Sequence, residues 1–442
     1  MIKIISKLLV ASLFIATANG QTLSTKFESS NGKETPNYYE IIDWWKKADQ
    51  LSTQLTLQTK GPTDAGFPLH LALLSNQGYT SIQAAKKAGA SIILVNNGIH
   101  PGEPDGIDAS MLLAKNVIQK KVSLPKNLLI AIIPVYNIGG CLNRSANFRV
   151  DQEGPEEFGS RGNSQYLDLN RDFIKADSKE ALSFSAIFQE CDPDVFIDNH
   201  VSNGADYQHV MTLLTSQPSK LGGVMETFLR TKFEPALYAG MKEKGYDMIP
   251  YVNAYGDKPE NGWSTYWDSP RYTSGYATLW NSFAFVPETH MLKPYDQRVM
   301  ATLALMENFI AFTGKNATEM QELRNKTKQA VATATAFPIK WKLDKTGFTE
   351  YTFKGFESGN KPSEVSGLPR LYYDRSKPFT KTIKIYDKFV PEAIIEKPKA
   401  YIIPQGWWKV IDRLKTNQVK MVALEKDTSM AVEWYQLEDY KT

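Results

Sequence analysis

Two short, continuous apolar runs set the reading of this chain: SIILVNNG at 91–98 and NLLIAIIPVYN at 127–137. Runs of Ile, Leu and Val without polar alternation read as strands buried on both faces. Between them Ile107, Met111, Ala114 and Ile118 recur at helical spacing, which predicts strand, helix, strand. Phe184, Ile187, Phe188 and Cys191 form a second helical stripe, followed by the strand-like PDVFIDNH at 193–200. HVMTLLTS at 209–216 and SFAFVPETH at 282–290 complete the set. Helices alternating with buried strands predict an α/β sheet with helices on both faces. In such sheets ligands collect where strands end.

The pattern changes after Tyr295. DQRVMATLALMENFIAFTG reads as a long amphipathic helix, and NATEMQELRNKTKQAVATATA continues it with a polar face. From about Phe337 the text is β-like, through EYTFKGF, TKTIKIYDKFV and KAYIIPQGWWKV. The expected organisation is a main domain over 21–336, opening with a polar, turn-rich arm, and a small β-rich accessory domain over 337–442. Trp407 and Trp408 in that second part are open to binding a glycan or to packing, and packing is the expectation.

Composition narrows the function classes. The chain has 442 residues, with 51 Lys and Arg against 48 Asp and Glu, for a net charge of +3. That balance speaks for neither nucleic acid nor an anionic membrane surface as partner. Aromatic residues are 12% of the chain, which suits a peptide or carbohydrate cleft as well as a core. The start, MIKIISKLLVASLFIATANGQ, places Lys3 and Lys7 before an apolar run that ends near Ala18. It reads as a secretory signal peptide over 1–20, too short to span a bilayer. The expected location is therefore periplasmic or extracellular, with no stable membrane insertion after removal of the signal. Cys141 and Cys191 are the two cysteines. They are open to pairing in an oxidising compartment, but are too few for a disulfide framework or a thiolate zinc site.

The candidate chemistry sits at strand ends. His100 and Glu103 stand three apart in IHPGEPDG, directly after the first run, and His200 ends a later one. Alone, an HxxE pair is usually a turn with a solvated carboxylate, and a lone strand-end His is usually a structural hydrogen bonder. Together, two imidazoles and one carboxylate are able to converge on one Zn²⁺ and leave a fourth position for water, the arrangement of a catalytic site. Glu288 in FAFVPETHML ends another strand and offers a base. In YLDLNRDF, Asn170 and Arg171 offer an amide and a guanidinium fork that match a terminal carboxylate. The plain alternative pairs Arg171 with Asp168 or Asp172 at the surface.

HPGE at 100–103, DLNRDF at 168–173, His200 and PETH at 287–290, in this order, resemble the zinc carboxypeptidase family, the carboxypeptidase A-like metallopeptidases, over roughly residues 40–315. The resemblance implies a mixed, mostly parallel sheet of about eight strands flanked by helices. It implies His100, Glu103 and His200 as ligands of one zinc ion, Glu288 as general base, and Asn170 with Arg171 as the clamp for a peptide C-terminus. It further implies an oxyanion-stabilising arginine, for which Arg149 is preferred to Arg144. Gly102 stands where the digestive members carry an arginine. The family's mobile tyrosine has no assigned match among Tyr266, Tyr272 and Tyr276. The C-terminal part is similar to extensions of longer exported bacterial relatives, which run on further, so it is read as ending early. The expected activity is hydrolysis of the C-terminal bond of peptides or proteins. The alternatives are a zinc amidase acting on cell-wall peptides or N-acyl amino acids, and, in another class, an inactive secreted binding protein. Neither side-chain preference nor oligomeric state is readable.

Overall fold

In the computed structural model, residues 23–436, 438 and 439 are described; the predicted signal peptide lies outside them. The core is a nine-stranded sheet. Its strands are β1 (Leu55–Pro62), β2 (Pro68–Leu74), β3 (Ser91–Asn96), β4 (Leu128–Ile133), β5 (Val195–Asp198), β6 (His200–Ser202), β7 (Met211–Thr215), β8 (Ile249–Pro250) and, after a short β9 (Trp263–Ser264) that belongs elsewhere, β10 (Phe283–His290). The spatial order is β1-β2-β4-β3-β5-β10-β7-β8, with β6 beside β10. Pairing is parallel across β4-β3-β5-β10, and antiparallel for β1-β2, β2-β4 and β10-β7. This is the α/β sheet expected from the apolar runs, with the mixed, mostly parallel pairing that the resemblance implies.

Every residue of β3 and β4 is buried, because helices cover both faces. Helix α1 (Tyr38–Leu51) starts with an Asn37–Glu40 capping box, which satisfies two first-turn donors reciprocally. Helix α2 (Asp105–Ile118) follows β3, and α3 (Lys179–Cys191) precedes β5. The two predicted C-terminal helical stretches form one continuous helix, α4 (Tyr295–Thr333). Among the described residues no helix is long and apolar enough to cross a membrane. Cys141 and Cys191 are both free and buried.

Beyond α4, β11 (Ala336–Leu343) pairs with β14 (Phe389–Glu396), while β12 (Thr349–Pro362) and β13 (Pro369–Tyr386) form a long hairpin. The hairpin does not stand apart. β13 pairs with β9, and Phe353, Ile383 and Ile385 share a core with Tyr207, Ile249 and Trp263. The β-like reading of KAYIIPQGWWKV is corrected throughout: the preceding strand ends at Glu396, and residues 399–404 form no strand. Pro404 breaks the apolar run, and Trp408–Thr416 is a helix. Trp407 and Trp408 do not pack as expected: they are 57% and 59% exposed.

Candidate metal and peptide site

Register builds the site. β3 and β5 pair in parallel up to Asn96 and Asp198, so the residues that follow emerge at one edge of the sheet. β10 pairs with β5 through Phe285 and then with β6, which sets Glu288 directly opposite His200. His100 and Glu103 lie in the turn between β3 and α2, closed by the Glu103 amide donating to the His100 carbonyl at 2.8 Å.

Three buried side chains converge here. His100, Glu103 and His200 each offer an atom, and these atoms lie within 4.8 Å of one another. His200 Nδ1 is 3.0 Å from Glu103 Oε2, and His100 Nδ1 is 3.3 Å from Glu103 Oε1. Ligands at ~2.0–2.1 Å from a tetrahedral zinc stand about 3.3 Å apart, so the donor set and its spacing fit that ion. The outer nitrogens are already engaged. His100 Nε2 lies 2.9 Å from Asp168 Oδ1, and His200 Nε2 lies 2.8 Å from Asp198 Oδ2. A carboxylate on the far nitrogen fixes the ring and turns the other nitrogen inward, as in many histidine metal sites. Asp168 and Asp198 thus orient the two rings, a role the sequence reading did not assign them.

Electrostatics sharpen the picture. Burial opposes charge on Glu103, but His100, Arg149 and His200 outweigh it and hold its carboxyl well below the usual range. Burial also disfavours the His200 imidazolium, yet Asp198 and Glu103 raise its pKa well above the ordinary value. Glu288 behaves oppositely. Desolvation at the cleft floor, with Glu103 adding repulsion against the pull of His200, pushes it up to about 8.

The remaining predicted residues lie around one cleft of about 710 Å³, lined by Arg149, Asn170, Arg171 and Glu288 among others. Arg149 donates to Glu103 Oε1 at 2.7 Å and to the Val201 carbonyl at 2.9 Å. Arg144 instead donates to the Thr35, Pro36 and Glu157 carbonyls and holds the N-terminal arm. Arg171 lies 4.6 Å over the Tyr272 ring and only 4.0 Å from Asp168, while buried Asp172 is taken up by Ser178. Tyr266 and Tyr272 line the cleft; Tyr276 is buried and donates to Asn417.

Two further residues bear on the cleft and were not anticipated. Arg161 donates to Asp168 Oδ2 at 2.9 Å and places Nη1 3.3 Å from His100 Nδ1. Buried Asp268 pairs with Lys220 at 2.6 Å. Neither sits near a strand-end motif, so only tertiary contact reveals them. Gly102 has a steric reason of its own: a Cβ there would meet the Gly159 carbonyl oxygen at 2.9 Å and Arg149 Cδ at 3.1 Å.

No protein-family model matches the chain, and no curated protein matches its sequence. Among solved structures the chain is similar to a metallo-carboxypeptidase from Burkholderia cenocepacia, at 14% identity over 63% of this chain and 69% of that one, TM-score 0.47. It is similar to carboxypeptidase A from Helicoverpa armigera, at 15% identity over 68% and 75%, TM-score 0.45. It is also similar to bovine thrombin-activatable fibrinolysis inhibitor, at 11% identity over 65% and 98%, TM-score 0.47.

Proposed function

We propose that this chain is an exported zinc metallocarboxypeptidase that hydrolyses the C-terminal bond of peptides or proteins. The observation that carries the reading is the convergence of buried His100, Glu103 and His200 beside Glu288. Zinc, when bound by these three ligands, supplies a Lewis acid and lowers the pKa of water.

The chain's own residues supply the rest. Arg171, backed by the Tyr272 ring, and Asn170 hold the substrate's terminal carboxylate; a planar fork gives that contact direction as well as charge. Glu288 takes a proton from the attacking water and returns it to the leaving amine. Arg149, held beside Glu103 and the Val201 carbonyl, offers its remaining N–H groups to the oxygen that gains charge as the carbonyl becomes tetrahedral.

The test combines metal analysis with a panel of free and C-terminally amidated peptides. Zinc at one equivalent, with cleavage of free peptides alone, is the expected result. Cleavage of blocked or D-amino-acid peptides favours the amidase, and absence of both metal and cleavage favours a binding protein. Glu288→Gln should lower turnover by about 10²–10⁴ while zinc remains bound. Full activity in that variant removes Glu288 from the mechanism.

A further inference from the structure

The cleft does not end at the metal ligands. Asn203 and Tyr255 line both the cleft and a second cavity of about 1490 Å³. Ligand pockets for drug-sized molecules run to roughly 300–1,000 Å³, so the joined space exceeds what a dipeptide fills. The second cavity is lined by the hairpin tip, with Lys361, Arg370, Tyr372 and Tyr373, and by the acids Asp151, Asp257 and Glu260.

The hairpin tip has features that stability does not explain. Lys361 and Arg370 are cross-strand partners, and like charges set opposite one another destabilise a hairpin. Among the described residues no ion pair joins either to an acid, and Asp151, Asp257 and Glu260 form none, Asp257 accepting instead from the Lys258 amide and the Asn261 side chain; Lys361 sits 5.5 Å from the centre of the Tyr372 ring. That ring lies across Gly359, where a Cβ would meet Tyr372 Cε1 at 2.9 Å, so the glycine keeps the aromatic face flat on the strand. The hairpin is anchored at the trench. Arg375 bonds Asp206 at 2.6 Å and the Leu292 carbonyl at 2.8 Å, and Tyr207 bridges to Gly355.

Asn170 and Arg171 line the cleft alone, while Asn203 and Tyr255 join it to the trench. A chain held at Arg171 that passes Glu288 therefore leaves by way of Asn203 and Tyr255. We infer that the C-terminal hairpin is a substrate-binding wall, and that the favoured substrate is an extended polypeptide tail whose residues upstream of the scissile bond lie in the trench. This rests on the carboxypeptidase reading. A lining that carries both signs of charge beside tyrosine rings suits an extended chain that presents side chains alternately to either side.

The experiment uses the full mature protein with a dipeptide, a tetrapeptide and an octapeptide that share their last two residues. We expect kcat/KM to rise by about tenfold or more from dipeptide to octapeptide, since binding of remote substrate parts is spent on the reacting centre. In a Lys361→Ala, Arg370→Ala, Tyr372→Ala variant the octapeptide-to-dipeptide ratio should collapse towards one. A flat length series, a ratio untouched by the variant, or a gain only when a glycan is attached overturns the inference. Should no peptide be cleaved, the carboxypeptidase reading fails and calorimetry decides the trench. Octapeptide bound by Glu288→Gln protein, and weakened by the hairpin substitutions, upholds it; absent or unweakened binding overturns it.

Discussion

Burial disfavours the charged form of the His200 ring; Asp198 at 2.8 Å and Glu103 at 3.0 Å outweigh it and raise the ring's pKa, favouring the protonated form. A divalent cation on Nδ1 must displace that proton, so zinc affinity should rise with pH. Asp198 has two tasks at once: it fixes which nitrogen faces Glu103, and it strengthens the ring as a donor once neutral. Asp198→Asn removes the charge and keeps the shape. We expect zinc affinity to fall by about 10–100-fold, measured by competition with a chelator, with the far-ultraviolet spectrum unchanged. Unaltered affinity would show that the Asp198 contact is only packing. The residue scale is also where sequence reading falls short. His100, Glu103, His200 and Glu288 stand at the ends of apolar runs and so are visible one by one. Asp168 meets His100 from 68 positions further along the chain; it opens DLNRDF in an irregular segment, where no local pattern points to His100 as its partner. Asp198 was within reach, since residues two apart on a strand point the same way.

Between elements, Asp108 on α2 is a joint. Its Oδ2 accepts from Thr35 in the N-terminal arm at 2.6 Å and from the Tyr295 hydroxyl at the start of α4. Burial pushes its pKa up to about 7, against a usual 3.8, despite those hydrogen bonds. The unfolded chain therefore ionises first as pH rises. The contribution of Asp108 to stability is whole below about pH 3.8 and is lost progressively up to about pH 7, at about 1.4 kcal/mol for each unit of difference. Asp108→Asn does not titrate. Its melting temperature relative to the parent should thus climb between pH 4 and pH 7 and then level; a difference independent of pH would refute the assignment. Strands and long helices were legible because burial on both faces and a 3.6-residue stripe write themselves into the text. The helix Trp408–Thr416 was not, since TyrIleIle before Pro404 is β-like while Lys409, Arg413 and Lys415 give the segment its helical character.

At the scale of the molecule, the question is whether the hairpin answers to the sheet. Phe353 on β12 is 1% exposed and packs about the rings of Tyr207, Trp263 and Phe379, with centroids 6.1, 6.0 and 6.0 Å away. Two of these rings belong to the chain before α4, so the hairpin has no private core to melt. Trp263 also pairs with Ile385 through the backbone, and Arg230 on the catalytic side bonds Asp387 at 2.8 Å. A cavity at Phe353 is therefore felt on both sides of α4. Phe353→Ala should cost about 3–5 kcal/mol and should lower one cooperative transition by calorimetry. It should also weaken octapeptide cleavage more than dipeptide cleavage, because the trench wall loosens with it. If the hairpin were an independent unit, the variant would split off an early transition and leave the main one in place. That outcome would separate the C-terminal strands from the sheet in stability, whereas the shared aromatic core predicts that hairpin and sheet unfold as one unit.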